Sequence, residues 1–174
     1  MHNKEKPVEF VTDRVSSPIG QIIVVCDNAA LVAVDFDEYE QRNNGRLTRY
    51  YGAHSLREVC NPLGMSEAIR RYLNGDISAI DNLPVRFNGT PFQMLCWQQL
   101  RKIPTGTTES YIGLAKSIGR PKASRAVGLA NGSNPIAIVV PCHRVIGADG
   151  NLTGYGGGMH RKQWLLQHEG ALLI

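Results

Sequence analysis

The fold and the chemistry of this chain turn on residues 136–145, which read Ile-Ala-Ile-Val-Val-Pro-Cys-His-Arg-Val. Five apolar residues in succession predict a buried strand, and the proline after them predicts a turn at its end. That turn carries Cys142 directly beside His143. A thiolate is the nucleophile that proteins use for soft electrophilic carbon, whereas an ordinary cysteine is mostly protonated at neutral pH. The segment therefore predicts a nucleophilic Cys142 whose pKa is lowered by the adjacent imidazole.

The composition is that of a globular protein. The 174 residues are 43% hydrophobic, which suits one good-sized core or two small ones packed together. No apolar run approaches the roughly 18 residues needed to span a membrane, and residues 1–6 do not resemble a signal segment. The four cysteines form no CxxC pair, so neither a disulfide framework nor a zinc site is indicated. We expect a cytoplasmic protein with reduced thiols, no bound metal and no membrane contact.

Charge is distributed unevenly along the chain. Residues 1–89 hold 10 basic and 12 acidic side chains, whereas residues 90–174 hold 9 basic and 3 acidic ones. Neutralising phosphates is the main sequence-independent source of nucleic-acid affinity. The second half therefore suggests a polyanionic partner, although charge alone is equally compatible with a merely basic domain.

The first half reads as a small α+β unit. The β-branched run Gln21–Cys26, a turn, and the apolar run Leu31–Phe36 predict a β-hairpin. Helical spacing predicts a helix over Met65–Leu73, ended by Asn74-Gly75. Residues 40–55 are polar and give no clear assignment. Nothing in this half suggests chemistry, and Cys26 and Cys60 are interpreted as packing residues.

The second half reads as a set of short helices. Thr90-Pro91 predicts the start of a helix that places Cys96 and Trp97 in the core. Ser110 caps a helix predicted over Tyr111–Ile118, and a glycine-containing turn leads to another over Lys122–Ala130. Two short helices joined in this way predict a helix-turn-helix. A last amphipathic helix, His160–His168, ends at Glu169, which is either a solvated terminal residue or part of a site.

The second helix of this pair lacks the side chains that usually read bases in a major groove. We interpret Arg125 as its only long side chain, which could enter a base stack while the thin helix presses into a narrow groove. A small-residue helix packed against a neighbour is the alternative interpretation. The small residues are Ala123, Ser124, Ala126, Gly128 and Ala130.

A glycine-rich segment, residues 147–158, follows the cysteine and holds Tyr155 among four glycines. Such a density of glycine permits close approach of the backbone, so main-chain N–H groups could meet a flat ligand. No Gly-Lys-Ser or Gly-Lys-Thr follows, so the segment is not a phosphate-binding loop.

Six motifs in order give the chain a close resemblance to the O6-alkylguanine-DNA alkyltransferases, the methylated-DNA--protein-cysteine methyltransferase family. The resemblance implies a ribonuclease H-like α+β domain of a small sheet and helix at residues 1–88. It also implies a mostly helical domain with a winged-helix-like helix-turn-helix at residues 89–174. The motifs are Pro141-Cys142-His143-Arg144-Val145, Ser110-Tyr111, Arg125-Ala126-Val127-Gly128, Asn131-Gly132-Ser133-Asn134-Pro135, Thr153-Gly154-Tyr155-Gly156-Gly157 and Leu165-Leu166-Gln167-His168-Glu169-Gly170.

The resemblance further implies direct DNA repair, in which an alkyl group moves once and irreversibly from guanine O6 to Cys142. By analogy His143 takes the thiol proton, Glu169 orients the imidazole, and Asn134 holds the turn that bears the cysteine. The Tyr111 hydroxyl donates to the guanine ring and crowds a phosphate, which promotes rotation of the nucleotide.

The base would be recognised largely by main chain. The resemblance assigns contacts with the guanine edge to the backbone of Cys142, Val145 and Gly156. Tyr155 walls the alkyl pocket, and Pro141 belongs to the same substrate-binding set. No cofactor is implied.

Access to O6 requires extrusion of the nucleotide from double-stranded DNA. The resemblance identifies Arg125 as the residue that fills the space left in the stack, with the small helix in the minor groove. The predicted DNA-contacting residues are Tyr111, Ala123, Ser124, Arg125, Ala126 and Gly128.

Two other classes of function remain as alternatives. A thiol-dependent hydrolase would also need a cysteine, a histidine and an acid, but it would turn over and would not need a thin DNA-binding helix. A non-catalytic module that binds alkylated DNA would lack the reactive Cys142. Oligomerisation is unnecessary for the chemistry, so we expect a monomer, and the sequence does not decide whether O4-alkylthymine is accepted.

Overall fold

The computed structural model describes residues 6–172 and has a mixed α+β fold. The first half contains a four-stranded sheet with two helices, and the second half is mostly helical. The elements are β1 (Val8–Ser17), β2 (Gly20–Cys26), β3 (Leu31–Phe36), α1 (Glu40–Tyr51), β4 (His54–Glu58), α2 (Met65–Leu73), α3 (Pro91–Leu100), β5 (Glu109–Ser110), α4 (Tyr111–Ser117), α5 (Ser124–Gly132), β6 (Val145–Ile146) and α6 (Met159–His168).

The sheet has the strand order β3-β2-β1-β4. The predicted hairpin is present as the antiparallel pair β2–β3, and β1 pairs with β2 antiparallel and with β4 in parallel. The sequence reading missed β1 and β4. The outer strand β4 is largely exposed, so it lacks the alternation of apolar and polar residues on which strand prediction depends.

The two helices of the first half differ in how clearly the sequence predicts them. Helix α2 has the predicted bounds and buries Met65, Ile69, Tyr72 and Leu73. Helix α1 occupies the unassigned region, and its only buried residues are Asn43 and Leu47. A helix that buries so little apolar surface has almost no periodic signal, so the missed assignment has a physical reason.

The two halves of the chain share one hydrophobic core. Its members include Ile22, Val24 and Val34 from the sheet together with Trp97 and Leu165 from the second half. A smaller cluster lies between the sheet and α1. The indole N–H of Trp97 donates to the carbonyl of Ala130 at 2.9 Å, which attaches α3 to α5.

Residues 136–140 do not form the predicted strand. Ile136 makes a single bridge with Val34 of β3, after which the chain turns, and Ile138 has a φ of +70°. Backbone bonds from Val139 to Ala137 and from Val140 to Ile136 close these turns. The segment is apolar because it is buried in the shared core, and burial alone does not distinguish a strand from a compact turn.

The helix-turn-helix forms from α4 and α5, which pack against each other. Helix α4 begins at Tyr111 as predicted, and the Ser110 hydroxyl accepts from the backbone N–H of Gly113 at 2.9 Å. Helix α5 begins two residues later than predicted and continues through Gly132. The reason is that Pro121 and Lys122 belong to the turn before it.

Two further predictions concern exposure. Cys26 and Cys96 are buried as expected, but Cys60 is exposed, so its interpretation as a packing residue was wrong. Cys60 follows the outer strand β4, where little protein covers it.

Within residues 6–172, no helix is long and apolar enough to cross a membrane.

Candidate active site

Cys142 begins a short 3-10 turn, Cys142–Arg144, directly after the buried turns of residues 136–140. The side-chain amide of Asn134 shapes this connection. Its Nδ2 donates to the carbonyl of Val140 at 2.8 Å and contacts Sγ of Cys142 at 3.2 Å, while its Oδ1 accepts from the backbone N–H of Ile136 at 3.0 Å. Asn134 therefore fixes the turn and contacts the sulfur at the same time.

Glu169, at the end of α6, is the buried acid behind the cysteine. Its Oε1 accepts from Nε2 of His143 at 2.9 Å, from Nη2 of Arg144 at 2.9 Å and from the hydroxyl of Tyr72 at 2.8 Å. Its Oε2 accepts from Nε of Arg144 at 2.9 Å. The alternative that Glu169 is a solvated terminal residue is wrong, since only 5% of the residue is exposed.

Burial alone would raise the pKa of Glu169, but hydrogen bonds and charge from His143 and Arg144 outweigh burial and hold its pKa well below the usual range. Burial lowers the pKa of His143, with Arg144 and Lys162 acting in the same direction and Glu169 opposing them. At neutral pH the carboxyl is therefore ionised and the imidazole neutral.

This charge state fixes the tautomer of His143. An ionised carboxylate can only accept hydrogen bonds, so the proton of the neutral ring must lie on Nε2 and the lone pair on Nδ1. Nδ1 is buried and has no hydrogen-bond partner within residues 6–172. The ring thus presents a free basic nitrogen, on the residue that follows Cys142.

The expectation that the adjacent imidazole lowers the thiol pKa is wrong for the resting protein. Burial raises the pKa of Cys142, and the hydrogen bond from Asn134 and the charges of Lys162 and Arg46 only partly oppose that effect. The resting cysteine is a thiol beside a neutral base. Its proton must be removed when substrate reacts.

Lys162 is a site residue that the sequence reading missed. Its buried ammonium donates to the carbonyls of Val145, Thr153 and Gly154 at 2.5, 3.0 and 3.2 Å. Burial lowers its pKa to about 8, and the neighbouring Cys142 acts in the opposite direction. The lysine ties the strand after the cysteine to the glycine-rich segment, and no local sequence pattern marks it.

Cys142 opens onto a cleft of about 140 Å³ between α4, α5 and the glycine-rich segment. Larger cavities exist, including one of about 430 Å³ between β1, β4 and α1, but that cavity contains none of the predicted site residues. The cleft is lined by Tyr111, Gly128, Asn131, Gly132, Cys142, Gly154, Tyr155 and Gly156.

The glycine-rich segment is held against this cleft from two sides. The Tyr111 hydroxyl donates to the carbonyl of Thr153 at 3.0 Å. Gly157 packs so closely on the Phe36 ring that an added Cβ would lie 2.7 Å from it, which explains the need for glycine there. Pro141 and Val145 are buried, whereas Tyr155 is half-buried and Gly156 exposed, and Pro141 lines a separate cavity with Ile103 and Arg144 instead of the cleft.

The first half also contributes contacts to the site, although nothing in its sequence suggests chemistry. Asp35, which is buried on β3, pairs with Arg42 at 2.7 Å and with Arg46 at 3.5 Å. Arg42 also donates to the carbonyl of Gly156 at 2.7 Å, and Arg46 donates to that of Gly132 at 2.8 Å. These contacts join residues far apart in the chain, so sequence spacing could not have indicated them.

One of the predicted DNA-contacting residues, Tyr111, begins α4, and the others lie on α5 or directly before it. Arg125 and Ala126 are exposed, Ala123, Ser124 and Gly128 are half-buried, and Gly128 faces the Tyr111 ring. The interpretation of Arg125 as the only long side chain of this helix is wrong, because Leu129 follows one turn later and is 70% exposed.

Within residues 6–172 no group of three or more His, Cys, Asp or Glu side chains is placed to hold a metal ion.

Both halves of the chain match known protein families. A family described as "6-O-methylguanine DNA methyltransferase, ribonuclease-like domain" matches residues 13–87, and "6-O-methylguanine DNA methyltransferase, DNA binding domain" matches residues 91–171. A "Methylated-DNA--protein-cysteine methyltransferase" from Shigella flexneri is 47% identical over 96% of this chain and 99% of its own length. A protein of the same description from Methanosarcina acetivorans is 43% identical over 89% and 95%.

Two solved structures are similar to this chain in both fold and sequence. The O6-methylguanine methyltransferase of Mycobacterium tuberculosis has a TM-score of 0.76 and 38% identity, covering 94% of this chain and 93% of its own. A crystal structure described as that organism's OGT in complex with DNA has a TM-score of 0.75 and 36% identity, covering 94% of each chain.

The fold and the cysteine-centred site define a DNA-repair methyltransferase that uses a protein thiol. The chain belongs to the methylated-DNA--protein-cysteine methyltransferase family.

The buried pair His143–Glu169 predicts that acid destabilises the protein. The unfolded chain protonates histidine near pH 6.5 and glutamate near pH 4.3, whereas both groups have lowered pKa values when folded. Over that range the unfolded state binds more protons, so the free energy of unfolding falls as pH falls, by up to about 1.4 kcal/mol per pH unit for each group. Urea denaturation at pH 8, 6.5, 5 and 4 measures this.

His143→Gln serves as the comparison, since glutamine keeps a donor for Glu169 but does not titrate. We expect a shallower loss of stability between pH 7 and 5 in this variant. Equal slopes in the two proteins would contradict the assignment of that loss to His143.

Proposed function

We propose that the chain restores guanine in duplex DNA by moving the alkyl group of O6-alkylguanine to Cys142 in one irreversible step. Membership in the family supports this reaction, and the relatives are named for it. The observation that supports the roles of these residues is the hydrogen bond between Nε2 of His143 and the ionised Glu169, because it leaves the basic Nδ1 unpaired on the residue that follows Cys142.

The thiol proton passes to Nδ1 of His143, through a bridging water. The sulfur of Cys142 then attacks the alkyl carbon, so that an S–C bond forms while the C–O6 bond breaks and its electron pair stays with the base. The leaving guanine takes up a proton, which balances the one that the thiol lost. Glu169 stabilises the imidazolium while it exists, and Asn134 holds the sulfur in line.

The product is a thioether, from which the alkyl group has no good leaving group to displace. The proposed mechanism also includes no activated water that would release the alkyl group. The protein therefore acts once. A raised thiol pKa suits this chemistry, because a thiol that ionises only when substrate and base are in place is protected from other electrophiles.

The cleft accounts for recognition of the base. The backbone of Cys142, Val145 and Gly156 contacts the guanine edge, and Pro141 and Tyr155 form the surroundings of the alkyl group. Support comes from the positions of Cys142, Tyr155 and Gly156 on the cleft and from the positions of Pro141 and Val145, which flank the turn that carries Cys142.

Charge on the leaving base is neutralised by the Tyr111 hydroxyl. This hydroxyl lies on the cleft and donates to Thr153 in the free protein. On binding it would exchange that carbonyl for the guanine ring, and the ring of Tyr111 would crowd the adjacent phosphate.

Helix α5 enters the minor groove, and Arg125 fills the stack after the target nucleotide is extruded. The helix borders the cleft through Gly128 and Gly132, so a nucleotide leaving the duplex beside α5 meets Cys142 directly. The contacting residues are Tyr111, Ala123, Ser124, Arg125, Ala126 and Gly128.

The remaining assignments follow from this reaction. One chain carries every residue that the chemistry needs, so a monomer suffices, and no step requires a cofactor. Residues 1–88 form the ribonuclease-like domain and residues 89–174 the alkyltransferase domain. A DNA substrate implies that the protein works inside the cell.

The hydrolase and the non-catalytic binding module are not favoured. The relatives are named as cysteine methyltransferases, which leaves no reason to invoke hydrolysis. A binding module would need neither Cys142 nor the unpaired Nδ1 of the adjacent His143, so the presence of both supports the transfer reaction.

The reaction is tested by mixing the protein with duplex DNA that carries O6-methylguanine and measuring peptide masses. The peptide that contains Cys142 gains one methylene in stoichiometric amount, and excess substrate gives no further product. Cys142→Ala abolishes transfer, since no nucleophile remains, but keeps DNA binding. Repeated turnover, or methylation at another residue, would overturn the proposal.

Arg125→Ala separates extrusion from chemistry. Without the guanidinium, the gap left by the extruded nucleotide stays open, so repair of duplex DNA slows by about tenfold or more. Transfer from free O6-benzylguanine, which needs no extrusion, stays unchanged in single-turnover assays. Lys116→Ala removes a positive charge from α4 as a control. Duplex repair by Arg125→Ala at the parent rate would show that the intercalation role is wrong.

A further inference from the structure

Asn131 lies beside the reactive cysteine but has no role in the account above. The predicted helix ends at Ala130, just before Asn131, whereas α5 continues through Gly132. The residue is only 8% exposed and lines the cleft together with Cys142 and Tyr111. It also lines the small adjoining pocket on the side of Arg42, so it stands between the two.

The carboxamide of Asn131 is buried without hydrogen bonds. Neither its Nδ2 nor its Oδ1 has a partner anywhere in residues 6–172. Asn134, three residues later, has the same side chain and uses both ends of it. A buried amide that pairs with nothing destabilises the folded protein, so such groups are rare and call for an explanation.

The unpaired polar atoms are concentrated where the reaction occurs. Within the described residues, seven buried side-chain nitrogen or oxygen atoms lack a partner, and four of them belong to Asn131, His143 and Tyr155. Asn131 and Tyr155 line the cleft, and His143 follows Cys142 in the chain. The unpaired Nδ1 of His143 is the proton acceptor of the proposed reaction. By the same reasoning, the unpaired atoms of Asn131 are available to hydrogen-bond the substrate.

We propose that Asn131 is a substrate-binding residue whose carboxamide hydrogen-bonds the extruded alkylated nucleotide; this inference rests on the proposed function. An amide offers one donor group and one acceptor, and a nucleotide presents both kinds of atom on its base and acceptors on its sugar and phosphates. Binding then supplies the partners that the free protein lacks. A site built to hydrogen-bond its substrate discriminates strongly against molecules that leave its polar groups unpaired.

This assignment makes stability and reaction rate change in opposite directions. An apolar side chain of similar shape removes an unsatisfied amide from the interior, so the free protein becomes more stable. The same change removes hydrogen bonds to the substrate, so the reaction slows. An asparagine that only supported the fold would give the reverse effect on stability.

The test compares Asn131→Leu with the parent protein in three measurements: the Tm, the single-turnover rate with free O6-benzylguanine, and the rate with duplex DNA carrying O6-methylguanine. We expect the Tm to rise by about 2 °C or more and at least one rate to fall by about tenfold. Asn131→Ala provides a second variant, with the same loss of rate, should leucine fail to pack.

Asn44→Leu is the matched control. Its Oδ1 is also buried without a partner, but Asn44 lies on α1 and lines the separate cavity between β1 and β4. Because this side chain does not touch the cleft, we expect both rates to equal those of the parent.

A slower reaction with the free base as well as with DNA indicates contact with the base. A slower reaction with duplex DNA alone indicates contact with the sugar or phosphate, and both outcomes support the proposal. Parent rates with both substrates, or a lowered Tm together with the lost rate in both variants, would overturn it. If the parent protein itself transferred nothing to Cys142, the proposed function would fail instead.

Discussion

The buried carboxylate of Glu169 is the group on which the site depends. It accepts hydrogen bonds from the consecutive residues His143 and Arg144 and from Tyr72 of α2, so it joins the turn that carries the cysteine to the first half of the chain. Burying one charge is costly unless it is paired, and Arg144 provides that pairing with two hydrogen bonds. Arg144 also donates to the carbonyl of Ile103 at 2.7 Å, so the ion pair anchors the segment after α3 as well. Burial keeps His143 neutral against the opposing effect of the carboxylate, and the ionised Glu169 holds the ring proton on Nε2, so that the basic Nδ1 remains available.

A second constraint is the end of β3, where three consecutive residues connect the two halves of the chain. Val34 pairs with the segment that leads to the cysteine, through backbone bonds of 3.0 Å to Pro135 and 2.9 Å from Ala137. Asp35 holds the arginines of α1 against the cleft, and the Phe36 ring packs on the glycine-rich segment. The first half thus positions the reactive cysteine and the walls of its cleft, although it contributes none of the reacting atoms.

Local signals in the sequence were sufficient for elements that bury an apolar face or carry a cap, such as the β2–β3 hairpin, α2, α3 and α4. They were insufficient for α1 and β4, which bury little, and they misled at residues 136–140, where a continuous apolar run is a set of buried turns. The site residues also fall into those that the sequence predicts and those that it does not. Asn134 and Glu169 were placed through motifs near the cysteine in the chain or at the helix end, whereas Tyr72 and Arg42 reach the site only through the tertiary fold.

The central claim, that an ionised Glu169 leaves a neutral His143 with its lone pair on Nδ1, is tested directly by nitrogen NMR of the imidazole. In free protein at neutral pH, we expect the chemical shifts of a neutral ring, with a protonated Nε2 and an unprotonated Nδ1. In the Glu169→Gln variant the preference for this tautomer weakens, because a neutral amide can donate as well as accept. A His143 that is charged at neutral pH in the parent protein, or one that carries its proton on Nδ1, would contradict the account.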